Sequence, residues 1–385
     1  MAAVCITNRQ IEDCRLALPL DRAGACAVCS CPDAVLQYGF CSLPAGESVF
    51  TVKSGMFKRA PATLLHPRAA AYWTKSVPPC ACVELPMLRV ASVLVVCALV
   101  STLTSAQQPA QRPPIEQLYK MPVVYSVAGM DKAQIRPDIV YKSAQTDKGK
   151  VDLKFDSYAP ANAAPGMTYP TVVLISGGGV EGAPYDWRDA GVYQSYGRIL
   201  AASGFIAVAF SKRFALGTTH GIEDTSDLVA YLREHAPDLY IDKDRFAYWA
   251  FSAGGGVLAS ILSDSAQSTR GVLCFYCVAE ANTSTLSPEE ADKRRRAFSS
   301  VYQIQQGDHR FPPLFIARAG LDSPGLNAGI DSLVSAALAK NLSIEVLNHP
   351  TGRHGFDTLD PDDRSREIIR RALEFLKAHL AASQS

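Results

Sequence analysis

The sequence lacks any imbalance of charge, with 38 Lys and Arg against 37 Asp and Glu, a formal net charge of +1. It also lacks a basic block longer than Lys293-Arg294-Arg295-Arg296. A nucleic-acid track or a polybasic membrane anchor needs a sustained positive field, so neither class of partner is expected. The short arginine run reads as a solvated helix face. No apolar run reaches the roughly 20 residues that a helix needs to span a bilayer. Cysteine is nearly missing from most of the chain: nine of the eleven lie at or before Cys97, and only Cys274 and Cys277 follow. So sharp a shift divides the chain into stretches with different histories.

What is present near the shift explains part of it. Met87-Leu88-Arg89 gives a short basic start, Val90 to Val100 is almost wholly apolar, and Thr102-Leu103-Thr104-Ser105-Ala106 ends in small residues. That order matches a secretory signal, with cleavage after Ala106 and export as the expected destination, secreted or periplasmic. A buried core helix is the competing reading, and the polar, Pro-containing stretch Gln107 to Pro114 speaks against it. Residues 1–86 are then expected to be a disordered, non-native extension ahead of a true start at Met87. They show no sustained period of 3.6 or 2. A zinc module built from Cys26, Cys29, Cys31, Cys41, Cys80 and Cys82 is the alternative. Its spacing offers one C-x2-C and no histidine before His66, whereas zinc knuckles usually come in regular pairs. The expected organisation is therefore an extension over 1–86, a signal peptide over 87–106, a linker and lead-in over 107–134, and one domain over 135–385.

From about residue 115 the chain alternates strand-like and helix-like runs. Val151, Leu153 and Phe155 alternate with Asp152, Lys154 and Asp156, which predicts a half-exposed antiparallel strand. The turn Asp147-Lys148-Gly149-Lys150 pairs it with Ile139-Val140-Tyr141. Continuous apolar strands follow at Thr171–Ile175, Phe205–Phe210, Phe246–Phe251, Val272–Val278, Leu314–Ala319 and Ile344–Leu347. Helical stripes fall between them at Tyr193–Ala202, Thr225–His235 and Gly329–Lys340, with a last one from Asp362. The pattern predicts an α/β fold, a mostly parallel eight-stranded sheet with helices on both faces. In such sheets ligands bind beyond the carboxyl ends of the strands, so chemistry is expected in the loops that follow them.

Four features fall in those loops. Ala250-Phe251-Ser252-Ala253-Gly254-Gly255 follows a strand and opens a helix through Val257, Leu258 and Ile261, the setting of a nucleophile elbow. Ala250 stands where glycine is usual, and a helix-capping serine is the bland alternative. Ser176-Gly177-Gly178-Gly179 follows the first parallel strand. With the N–H of Ala253, the amides of Gly178 and Gly179 would form an oxyanion hole, the alternative being a flexible turn. Asp322 follows Leu314–Ala319, and His354 follows Ile344–Leu347. The order Ser252, Asp322, His354 is that of serine α/β-hydrolases. His354 would move the proton and Asp322 would hold the imidazole, chemistry that needs no cofactor and no metal. His349 is the rival base but lacks a flanking glycine. Asp357 and Asp360 are read as surface or capping residues, and Cys274 and Cys277 as core residues pointing to opposite faces of a strand.

Residues 135–380 resemble the dienelactone hydrolase-like and esterase/lipase branch of the α/β-hydrolase superfamily. The resemblance rests on Gly177-Gly178-Gly179, Phe251-Ser252-Ala253-Gly254-Gly255, Asp322 and His354-Gly355-Phe356. It implies a serine esterase acting on small-molecule carboxylic esters. Dienelactone hydrolases proper use cysteine, and esterases usually place histidine where Ser176 stands. The Ser-x-Gly-Gly run is also similar to prolyl-oligopeptidase-type enzymes, so a small peptidase or amidase with the same triad is a second reading. A catalytically silent binding protein is a third, disfavoured by an intact triad. Tyr185, Trp187 and Tyr193 after the glycine run either line a substrate pocket or pack the loop. The charged insertion Glu280 to Phe311 is either a lid or a surface helix and turn.

Overall fold

The computed structural model describes residues 113–146, 149–178, 185–213, 219–264 and 269–381. The extension expected over 1–86, the signal peptide expected over 87–106 and Gly179 lie outside the described residues. A short helix α1 (Ile115–Lys120) precedes the hairpin β1 (Gln134–Thr146) and β2 (Gly149–Ala159). There follow β3 (Tyr169–Ile175), α2 (Gly191–Ala202), β4 (Ile206–Phe210), α3 (His220–Glu234), β5 (Ile241–Phe251) and α4 (Gly255–Ser263). The chain continues through β6 (Thr269–Phe275), α5 (Pro288–Phe298), α6 (Ser300–Gln306), β7 (Leu314–Ala319) and α7 (Pro324–Ala339). It closes with β8 (Ile344–His349), the single turn α8 (Phe356–Leu359) and α9 (Asp363–Leu380).

The eight strands form one sheet in the order β1-β2-β4-β3-β5-β6-β7-β8. β1 and β2 pair antiparallel, Ile139 facing Phe155, and β2 meets β4 antiparallel; β3 to β8 run parallel. The central strands are apolar on both faces because both are covered. In β5, Tyr248 and Ala250 enter one core with Val173, Leu258 and Ile330, while Trp249 and Phe251 enter the other with Tyr196, Phe275 and Ile368. A side-chain period of two thus feeds two separate cores from one strand. Burying each large side chain stabilises the fold by about 1.5–3 kcal/mol.

Two expectations need correction. The strand expected over Val272–Val278 ends at Phe275, because Tyr276 takes a left-handed backbone with φ of 41°. The turn brings Cys277 round to the same core as Cys274. The two cysteines therefore share one core and do not point apart; both are free and buried. Asp357, read as a surface or capping residue, is fully buried. The insertion Glu280 to Phe311 forms α5 and α6, which pack on α4 and α7 and bury Ala291, Val301 and Ile304 in the process. Among the described residues, no helix is long and apolar enough to cross a membrane.

Candidate active site

Ser252 sits immediately beyond the end of β5, in a tight turn that leads into α4. Its φ of 52° is a conformation that a residue with a β-carbon adopts only at a cost of about 1–3 kcal/mol. The surroundings hold it there. The Ser252 carbonyl accepts a hydrogen bond from the Val278 N–H at 2.8 Å. Two residues on, Gly254 lies so close to β3 that a side-chain carbon on it would stand 2.4 Å from the Ile175 carbonyl oxygen. On the other side of the serine, Ala250 is fully buried, and its carbonyl accepts the Cys277 thiol. A methyl group is thus accommodated where glycine is usual.

His354 and Asp322 reach the serine from the ends of β8 and β7. Ser252 Oγ lies 2.8 Å from His354 Nε2, and His354 Nδ1 lies 2.6 Å from Asp322 Oδ2. A neutral ring donating from Nδ1 to the carboxylate leaves Nε2 free to accept the serine proton. The Asp322 side chain is only 4% exposed, against 22% for His354, so the acid is shielded while the base faces the opening. The two loops are joined through the backbone. The N–H of Gly320 donates to the His349 carbonyl at 2.8 Å, and that of Leu321 to the Gly352 carbonyl at 2.9 Å.

His349, the rival base, is 1% exposed, and its hydrogen-bond partners lie outside this chain of bonds. Its Nε2 lies 3.1 Å from both Asp362 Oδ1 and Ser365 Oγ, at the start of α9. Asp362 also accepts the Ser365 N–H as the cap of that helix. His349 thus anchors a helix end. Asp360 accepts hydrogen bonds from Arg353 N and Nε and touches neither Asp322 nor His354.

The glycine run approaches Ser252 from β3. A side-chain carbon on Gly177 would come 3.0 Å from Ser252 Cβ. Tyr193 is buried in α2 and packs edge-on to Phe251. The Trp187 indole lies directly over Gly178, and Tyr185 stacks on Tyr119 of α1 with ring centroids 4.6 Å apart. Tyr119 also meets Trp187 edge-on, so the lead-in segment supplies part of an aromatic wall beside the loop.

Three residues near the site escaped the sequence reading. Lys212, just past β4, is fully buried and donates to the carbonyl groups of Ser176 and Gly178. Its position at a strand's carboxyl end was the signal available. Tyr276 packs its ring against His354, centroids 4.8 Å apart, and donates its hydroxyl to Asp357 Oδ1 at 2.6 Å. Asp357 also accepts from the Tyr196 hydroxyl at 2.8 Å, and burial pushes its carboxyl above the usual range. No local pattern marks that pairing, because Tyr196, Tyr276 and Asp357 come from three distant parts of the chain. Among the described residues, no cluster of His, Cys, Asp and Glu has the geometry to hold a metal ion.

Residues 155–317 match the BD-FAE family, a span that includes Ser176, Lys212 and Ser252 and stops short of Asp322 and His354. No curated protein matches the sequence. Solved structures of an esterase from the Planctomycetes species Thermogutta terrifontis share the fold. Its butyrate-bound form superposes with a TM-score of 0.51 at 21% identity, covering 66% of this chain and 98% of the esterase. Its propionate-bound form gives 0.51 at 22% identity, covering 66% and 97%. The same enzyme phosphoramylated by tabun gives 0.51 at 22% identity, covering 66% and 98%. The chain thus has the fold of these esterases, and its central residues match the BD-FAE family model.

Proposed function

We propose that this protein is a serine hydrolase that cleaves carboxylic esters through an acyl-enzyme on Ser252. The observation that carries the reading is the unbroken hydrogen-bonded chain Ser252–His354–Asp322 beside a glycine loop. In this reading His354 Nε2 takes the hydroxyl proton as Ser252 Oγ attacks the ester carbonyl carbon. Asp322 stabilises the imidazolium that forms and keeps the ring oriented. The carbonyl oxygen becomes an oxyanion and is received by the N–H groups of Ala253, Gly178 and Gly179. Ala253 opens a helix, where amides have no partner within the helix. Collapse of the tetrahedral intermediate breaks the bond to the alcohol oxygen, which takes the proton from His354. Water, deprotonated by the same histidine, then releases the acid and regenerates the serine.

The fold relatives support the ester assignment, since they are esterases seen with butyrate and propionate and modified by an organophosphate. The His354-Gly355-Phe356 turn supports a dienelactone hydrolase-like branch with serine in place of cysteine. Tyr185 and Trp187, with Tyr119, would flank the substrate on the Gly178 side. Export from a leader over Met87–Ala106 is part of the same proposal; its support is the order of basic, apolar and small residues. The full chain should hydrolyse short p-nitrophenyl esters, and Ser252→Ala should lower turnover by about 10⁴-fold or more while leaving the fold intact. Undiminished turnover in that variant would refute the assignment. Faster cleavage of matched anilides than of esters would favour the amidase reading.

A further inference from the structure

Lys212 presents a cost without an evident return. A fully buried lysine must give up its hydration, and burial pushes this ammonium down to about 7, with Asp186 and Asp224 opposing the shift. Yet the neighbouring residues hold the side chain inward. On one side, the Ser211 N–H donates to the Lys154 carbonyl at 2.8 Å, and its hydroxyl donates to Asp186. On the other, Arg213 places its N–H and guanidinium on the fully buried Asp224 of α3, at 2.8 Å and 2.7 Å. Residues 211 and 213 are therefore fixed to three different elements, and Lys212 between them is directed under the glycine loop.

There its ammonium makes three contacts with one short stretch of backbone. Nζ donates to the Ser176 carbonyl at 2.8 Å, to Ser176 Oγ at 3.1 Å, and to the Gly178 carbonyl. The Ser176 hydroxyl donates in turn to the Gly178 carbonyl at 3.0 Å. Gly177, enclosed by these contacts, lies close against Ser252: a side-chain carbon on it would come 3.0 Å from Ser252 Cβ. We infer that Lys212 is a positioning residue: with Ser176 it clamps the backbone of residues 176–178 from behind, so that the loop's amides face the carbonyl oxygen of a substrate on Ser252. The inference rests on the serine-hydrolase reading for its function, but the clamp is a property of the loop itself. It also accounts for Ser176 at a place where esterases usually carry histidine: a small hydroxyl can both accept from the lysine and donate to Gly178.

A clamp of this kind acts on the transition state more than on substrate binding. A donor shifted by a few tenths of an ångström still contacts a neutral carbonyl but stabilises an oxyanion poorly. Lys212→Met should therefore lower kcat by about 100-fold on a short ester while KM changes by less than about 3-fold. Ser176→Ala should lower kcat by about 10-fold, and the double variant should be no worse than Lys212→Met, because both act through one network. Without substrate, hydrogen exchange of the segment spanning 176–178 should be faster in both variants than in the parent chain. A folded Lys212→Met with parental kcat and parental exchange would overturn the clamp, as would singles whose effects simply multiply. Should Lys212→Met not fold, Ser176→Ala decides alone: unchanged kcat and exchange would overturn the inference. If the parent chain cleaves no ester, the exchange data still judge the clamp, and only the proposed function falls.

Discussion

The two halves of the site are held by different means. On the side of Asp322 and His354, backbone packs on backbone: the loop carrying Asp322 donates main-chain hydrogen bonds to the segment before His354, and glycines remove the side chains that would keep them apart. On the side of the glycine loop, residues 176–178 are held by side chains, with Lys212 bonded to their backbone and Trp187 laid over Gly178. Backbone contact fixes position through excluded volume, at little cost in buried polarity. Side-chain clamping places charge and hydrogen-bond donors where they are wanted, but it buries groups that must then be satisfied. In the proposed reaction His354 needs accurate placement above all, whereas the glycine loop also profits from the lysine behind its carbonyl groups.

The sharpest way to break the first half is to restore a side chain between its loops. At Gly320 even a β-carbon would lie 2.2 Å from the Pro350 carbonyl oxygen, and no flexible side chain is there to give way. Gly320→Val should therefore separate the Asp322 loop from the segment leading to His354. The expected cost is about 3 kcal/mol or more of stability, read by denaturant unfolding, with kcat falling in whatever protein remains folded. Parental stability and turnover in this variant would mean that the two loops are not held by close approach.

That half of the site was the more legible in the sequence, and the reason is physical. Glycine at a strand end, a serine between small residues, and an acid and a histidine just past apolar strands are all local signals. The sheet rule then collects them at one edge, and the structure brings Ser252, His354 and Asp322 within hydrogen-bonding distance. The clamping side chains left no such trace. Lys212 follows β4 as any polar residue ends a strand, and nothing near it in sequence names Ser176 as its partner. Tyr276 was absorbed into an apolar run because a left-handed φ at one residue is invisible to hydrophobic patterning. Cys277 was misplaced for the same reason.

A milder change separates the two histidines that follow β8. His349 and His354 are five residues apart, yet one anchors Asp362 and Ser365 at the start of α9 and the other contacts Ser252. His349→Gln keeps a donor and an acceptor but loses the ring that packs on Phe356, centroids 5.4 Å apart. Stability should fall by about 1–3 kcal/mol, with kcat on a short ester within about 3-fold of the parent. A loss of turnover as deep as that of a His354 variant would reverse the assignment of the two rings.

The smallest effect belongs to the carboxyl beneath His354, and its pH dependence makes it measurable. Asp357 is fully buried and receives the hydroxyls of Tyr196 and Tyr276, and burial raises its proton affinity in the folded protein. A carboxyl raised in this way holds its proton longer when folded than when unfolded. Its contribution to stability is full below the ordinary carboxyl value of about 3.9 and is lost as pH rises through the raised value. Asparagine at 357 can still accept from one phenol and donate to the other, and it does not titrate. The unfolding midpoint of Asp357→Asn should therefore gain on that of the parent as pH rises from about 4, then run parallel once the native carboxyl has ionised. A gap that does not change with pH would mean that the buried carboxyl carries no raised proton affinity. A gap that changes the other way would mean that the two phenols stabilise the carboxylate by more than burial disfavours it, the reverse of the balance at Lys212, where burial prevails.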